Sequence, residues 1–163
     1  AVQRGARGHG IELEPHLVLG ANAEARRRGV ADRARFAAEN VFDADLSRAT
    51  VITMYMGASV NRRMRPRLFQ LKPGTRVVTH EFDLGNWRPD VKITVAAPDK
   101  PYGAPRSDVM MWVVPADFSG MWQWRSIVDG IEEAYEAVLE QRFQVAEGRG
   151  SVASRPEIGR AHV

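Results

Sequence analysis

The apolar positions of this chain fall into short runs separated by charged segments and by glycine or proline. Residues 7–12, RGHGIE, read as a short strand entering a turn at Leu13 to Pro15, where proline suits the first position of a helix. The helix expected next carries Leu17, Ala21 and Ala25 at four-residue spacing, arginines 26 to 28 at its negative end, and Gly29 to stop it. Residues 34–38 read as a second strand. After an acidic loop with Asp43 and Asp45, residues 49–56 are nearly all apolar and rich in β-branched side chains, the pattern of a parallel strand covered on both faces.

From Ser59 to Leu71 the period becomes helical, with Val60, Met64, Leu68 and Leu71 on one side and arginines on the other. Pro66 lies inside this stretch and predicts a kink or the start of a second helix. Residues 75–80 and 109–114 give two more strands, separated by a long loop rich in proline, glycine and aspartate. Strands alternating with helices predict an α/β domain with a mostly parallel sheet. Between Ile131 and Phe143 the composition favours a helix while Tyr135, Ala137, Leu139, Gln141 and Phe143 alternate, so period alone leaves both structures open. Residues 148–163, rich in Gly, Ser and Arg, are expected to fray or to lack a packing partner.

Composition narrows the function classes. A chain of 163 residues with 44% hydrophobic content holds one globular core. Its apolar runs fall far short of the roughly 20 residues that span a bilayer, so no membrane span is expected in this chain. The absence of cysteine removes disulfides, thiolate metal sites and thiol nucleophiles. The opening AVQRGARGHG lacks methionine and any basic-then-apolar segment, so it reads neither as a signal peptide nor as a natural N-terminus. A pI near 9.7 invites a nucleic-acid partner. Against that, only three of the 23 basic residues are lysines and the arginines are interleaved with 20 acids. The clusters at 26–28 and at Arg62, Arg63, Arg65 and Arg67 fall on expected helix faces, where solvation accounts for them.

In an open α/β sheet, ligands bind outside the carboxyl ends of the strands. In a nucleotide-binding fold an acid at the end of the second strand accepts hydrogen bonds from both hydroxyls of a ribose, and Glu12, at the end of the first strand of this chain, is the candidate for it; the alternative, a helix-dipole cap, suits Glu14 better. His80, Glu81 and Asp83 could suggest a metal cluster, but neighbouring side chains on a strand end point to opposite faces, so no metal site is expected.

Three segments carry a family resemblance: GARGHGIELEP, GVADRARFAAENVFDADLSRATVITMYM, and NRRMRPRLFQLKPGTRVVTHEFDLGNWRPD. Together with the later VMMWVVPADFSGMWQW and LEQRFQ, they resemble bacterial class I S-adenosylmethionine-dependent methyltransferases related to the Dot1-like and mitochondrial carrier-lysine methyltransferases. LKPGTRVVTHEFDLGNW is the most specific part. The resemblance implies a Rossmann-like methyltransferase domain over residues 1–118 and a β-rich C-terminal extension over 119–163, which turns Tyr135 to Phe143 into a strand. It implies S-adenosyl-L-methionine as cofactor, with Glu12 on the ribose and Leu13, Asn40 and Val41 around the adenine; relatives usually carry aspartate where this chain has Asn40.

Tyr55 then falls where the methyl acceptor approaches and is the catalytic candidate, with packing at a strand end as its other reading. Asn61 and Trp87 become substrate-binding candidates, although helix N-terminal hydrogen bonding also accounts for Asn61 and packing for Trp87. The implied reaction is N-methylation of a lysine or another amine, on a protein or a small molecule. The family's first strand and glycine-rich loop would lie upstream of Ala1, and no GxGxG string occurs in this sequence. The chain is therefore expected to be an incomplete fold whose central strand is missing. Exposed ladder edges at about 1–3 kcal/mol per unpaired buried group would leave it poorly stable and inactive alone. Two other function classes stay open: a nicotinamide-dependent oxidoreductase, which also uses an acid after its second strand, and a non-enzymatic nucleic-acid-binding module built on the arginine clusters.

Overall fold

The structure, a computed structural model, describes residues 1–101 and 103–153. The chain divides into two compact units, residues 1–49 and the part from Thr50 onward.

In the first unit, strand β1 (Gly8–Glu12), helix α1 (Pro15–Arg27) and strand β2 (Ala34–Ala38) form a parallel pair with its connecting helix. Pro15 opens α1, because its missing N–H would be unpaired at a helix start in any residue. Gly29, at φ 64°, turns the chain out of the helix after Arg28. The helix buries Val18 and Ala25, while Leu17 stays 50% exposed, so the inward stripe is rotated from the expected one. Asn22 pins α1 to the outer edge of β2: its Nδ2 donates to the Phe36 carbonyl at 2.8 Å and its Oδ1 accepts from the Phe36 N–H at 3.1 Å. Gly10 stands opposite Phe36 in the ladder, and a Cβ there would run into the Phe36 ring.

The second unit begins with strand β3 (Val51–Met54), helix α2 (Ala58–Phe69), and strands β4 (Arg76–His80), β5 (Val91–Ala96) and β6 (Arg106–Val113). The sheet order is β3-β4-β6-β5, with β3 and β4 parallel and the other two pairings antiparallel. Two features depart from the sequence expectation. Strand β5 arises inside what reads as a loop, and it brings β6 back antiparallel, so the parallel pairings are β1–β2 and β3–β4 alone among the described residues. Secondly, β3 is not covered on both faces: Met54 is buried but Val51 is 42% exposed.

Helix α2 runs through Pro66 without a break into two helices. It buries Asn61, Met64 and Leu68. Met64 and Leu68 join Val77, Leu84, Trp87, Trp112 and Val114 in a core whose members are at most 1% exposed. Full burial of an aliphatic side chain of this size stabilises by about 1.5–3 kcal/mol.

Strands β7 (Gly120–Val128), β8 (Ile131–Arg142) and β9 (Val145–Ala153) form an antiparallel meander. The alternating reading of Ile131 to Phe143 is the one observed as far as Arg142, while Phe143, at φ 57°, lies in the turn into β9. The expectation of fraying from residue 148 is corrected as far as Ala153, because Gly148 and Gly150 sit in β9 against β8, where side chains would meet Val138, Leu139 and Glu136 backbone atoms. Residues 154–163, the rest of that expectation, lie outside the described residues.

Candidate active site

Two groups of candidate residues lie in different units, and each has its own local geometry. In the first unit, Glu12 closes β1. Its Oε1 accepts from the backbone N–H of Leu13 at 2.7 Å and of Glu14 at 3.1 Å, which fixes the direction of the carboxylate at the strand end. The N–H of Glu39 donates to the Glu12 carbonyl at 3.0 Å, so the chain leaving β2 stays beside it. Asn40 follows at once and folds an Asx turn: its Oδ1 accepts from the Phe42 N–H at 3.0 Å, and its carbonyl accepts from Asp43 at 2.9 Å.

The β1–β2 ladder thus brings Glu12, Leu13, Asn40 and Val41 to one edge. Leu13 is 68% exposed there, an apolar surface with nothing yet against it among the described residues. An oriented carboxylate beside an exposed leucine and an amide-bearing turn fits the sugar and base of an adenosine. Oδ1 of Asn40 keeps a second lone pair for a base amino group despite the Asx turn.

In the second unit, Tyr55 follows β3 and is 59% exposed, with its ring 4.8 Å from that of His80 at the end of β4. After His80 the backbone makes a tight reversal. Glu81 takes φ 67°, a left-handed conformation that costs a side-chain-bearing residue about 1–2 kcal/mol. Four hydrogen bonds hold it. The Glu81 N–H donates to the Asp108 carbonyl and the Phe82 N–H to the His80 carbonyl, both at 2.8 Å. The Phe82 carbonyl accepts from Thr79 Oγ1 at 2.6 Å and from Asn61 Nδ2 at 2.8 Å. Lys100 pairs with the Glu81 carboxylate at 2.7 Å, and this, followed by Ser107, holds Glu81 below the usual carboxylate range.

Asn61 and Trp87 sit differently from their expected substrate-binding places. Asn61 is fully buried and works from behind the reversal, fixing the Phe82 carbonyl; its own Oδ1 is buried without a partner among the described residues. Trp87 is also fully buried. Its indole N–H donates to Gln144 Oε1 at 2.7 Å, and its ring stacks on Phe143 at 5.8 Å and 7° and meets Phe69 edge-on. A direct contact with substrate does not match that burial; the packing reading does. Glu81 was legible only as a failed metal ligand, and the signal that could have singled it out is its place one residue beyond a strand end. His80, Glu81 and Asp83 do not converge, and no group of three acidic or histidine side chains among the described residues could hold a metal.

The ANTKMT methyltransferase domain matches residues 1–91. A protein-lysine N-methyltransferase from Saccharolobus islandicus (strain REY15A) is 41% identical over 87 residues, 53% of this chain and 54% of the relative. The chain thus spans about half the length of the curated relative it matches. Among solved structures, an RNA methyltransferase from Salinibacter ruber, in complex with S-adenosyl-L-homocysteine, is 43% identical with a TM-score of 0.61, over 70% of this chain and 69% of that one. Matched by the domain over more than half its length and by a solved methyltransferase over two thirds of both chains, the chain belongs to the ANTKMT methyltransferase domain family of class I S-adenosylmethionine-dependent methyltransferases, with their Rossmann-like α/β fold.

Proposed function

We propose that the protein transfers a methyl group from S-adenosylmethionine to an amine nitrogen, with a lysine side chain as the foremost acceptor. The observation that carries this reading is the carboxylate of Glu12, held at the end of β1 by two backbone amides beside exposed Leu13 and the Asn40 turn. In it, Glu12 accepts from the ribose hydroxyls while Leu13, Asn40 and Val41 border the adenine. The bound cofactor supplies a methyl group activated on a sulfonium. Tyr55 would position the acceptor nitrogen as the neutral amine; the nitrogen would take the methyl group and leave a thioether behind, and the methylated ammonium would lose its extra proton to water. In such a transfer the protein contributes mainly proximity and alignment, worth about 7–11 kcal/mol, and no general base is needed once the amine is neutral. Asn61 and Trp87 support the acceptor side from within the core rather than by contact.

The name of the Saccharolobus relative supports the lysine acceptor. The Salinibacter structure, named as an RNA methyltransferase, favours a second reading in which RNA is methylated. Incubation of the full-length protein with methyl-labelled S-adenosylmethionine and a cell extract, followed by protease or ribonuclease digestion, tests both. Label released by protease alone supports lysine, and label released by ribonuclease alone replaces it with RNA.

A further inference from the structure

Within the second unit, a recess of about 260 Å³ opens beside the end of β4, bordered by Tyr55, Glu81, Phe82, Lys100, Arg106 and Asp108. It is smaller than sites for drug-sized ligands and has the scale of one side chain or a small amine. Lys100, in the wall of the recess, shows what Glu81 can bind there. Lys100 donates from Nζ to Glu81 Oε1 at 2.7 Å and to the Arg106 carbonyl at 3.1 Å, and its side chain is only 12% exposed. A primary ammonium is thus taken out of water onto acceptors that include a carboxylate and a carbonyl, the kind of pairing that makes burial of a cation tolerable.

Glu81 is held for this task against its backbone preference. Its left-handed φ persists because Asp108, His80, Thr79 and Asn61 over-determine the reversal, and strain kept in this way marks functional positions. A lysine that served stability alone could reach a carboxylate from an unstrained backbone. Tyr55 borders the same recess.

We propose that this recess is a binding site for a primary alkylammonium, with Glu81 as its anionic ligand and Lys100 as an internal occupant that an incoming amine replaces. Identification of that amine with the methyl acceptor rests on the amine reading above; the affinity of the recess for an alkylammonium does not. Glu81 captures and orients the ammonium; where that amine is the methyl acceptor, it gives up one proton to water before its nitrogen attacks, and Glu81 serves as its ligand rather than as the base.

The test follows the melting temperature of the full-length protein and its Lys100→Ala and Lys100→Ala/Glu81→Gln variants during titration with n-butylammonium chloride. The expected result is a saturable rise for Lys100→Ala that is at least threefold smaller in the unsubstituted protein and absent from the double variant, with no rise from n-butanol. A flat Lys100→Ala titration, or an equal rise in all three proteins, overturns the proposal. Lys100→Ser, which keeps a small polar group, takes the same titration should Lys100→Ala fail to fold, and is read in the same way. A response of the same variant to N-acetyl-lysine methylamide assigns the recess to a peptide-borne lysine, and a response to n-butylammonium alone to a small-molecule amine. Calorimetry with S-adenosylhomocysteine on the same proteins separates the two readings: intact cofactor binding without a butylammonium response discards the recess alone, and the converse supports the recess while discarding the cofactor edge at Glu12 on which the proposed amine transfer rests.

Discussion

Glu12 and Asn61 show how differently two polar residues can serve one family of sites. Glu12 is accessible, and its orientation comes from two neighbouring amides, so its replacement should alter ligand binding more than folding. Loss of a charge-assisted hydrogen bond costs about 1.5–3 kcal/mol, so Glu12→Gln is expected to weaken S-adenosylhomocysteine binding by at least tenfold with little change in melting temperature. Asn61 is the reverse case. Its Nδ2 supports the Phe82 carbonyl from inside the core, so Asn61→Ala is expected to destabilise by about 1–3 kcal/mol in denaturant titration. Asn61→Asp should destabilise more, because it buries a charge facing a carbonyl. At this scale the sequence was informative where a residue's role follows from its position on a strand end, as with Glu12 and Tyr55. It was silent on the burial of Trp87, whereas Asn61 lies three residues before Met64 and seven before Leu68, on the helix stripe that turns inward, a signal masked by its polar side chain. It was equally silent on Glu81, whose left-handed backbone is imposed by partners up to 27 residues away in the chain, Asp108 among them.

Pro66 interrupts the backbone bonding of α2 near its C-terminal end yet leaves one continuous helix. Proline in a helix interior costs about 3 kcal/mol, less near an end. Pro66→Ala is therefore expected to raise stability by about 1–3 kcal/mol, visible as a higher denaturation midpoint. In the meander, Gly148→Ala is expected to have the opposite effect, since its Cβ would press on the Val138 carbonyl and the Leu139 side chain. Overpacking of this kind costs about 1–3 kcal/mol, and amide exchange along β9 should rise with it. Helices and parallel strands were readable because their apolar runs are bounded by proline, glycine and charge. Strand β5 went unread although Val91, Ile93 and Val95 alternate with Lys92 and Thr94 in a strand pattern, because proline-, glycine- and aspartate-rich segments flank it on both sides. The hairpin between β7 and β8 carried a short-range signal in Asp129 and Gly130, both at positive φ as a two-residue turn requires, and that pair outweighs the helix propensity of the Glu- and Ala-rich stretch after it.

For the whole molecule, the pairings leave β1 and β3 each with one strand neighbour among the described residues. The family resemblance assigns a central strand next to these same two, and the sequence reading overstated how parallel the sheet is. Acid should weaken the fold as its paired carboxylates protonate. Glu24, hydrogen-bonded to Arg27 and then Arg28, is lowered to about 2, and Glu81 and Asp108 are lowered chiefly by Lys100 and Lys92. Each folded value lies below the ordinary one, so the stabilisation is complete above the ordinary carboxylate range and is lost as pH falls through it toward the folded values. The melting temperature is therefore expected to be level from neutral pH to about 5 and to decline below that, with exposed pairs such as Glu24 contributing little of the change.

The central claim is that the oriented Glu12 carboxylate belongs to an adenosine-binding edge of a methyltransferase. Calorimetric binding of S-adenosylhomocysteine to the full-length protein, against NAD as comparison, tests it most directly. The account predicts one-site binding of S-adenosylhomocysteine, weakened at least tenfold in Glu12→Gln, and no binding of NAD. A folded protein that binds NAD instead, or binds S-adenosylhomocysteine equally well without the Glu12 carboxylate, would contradict it.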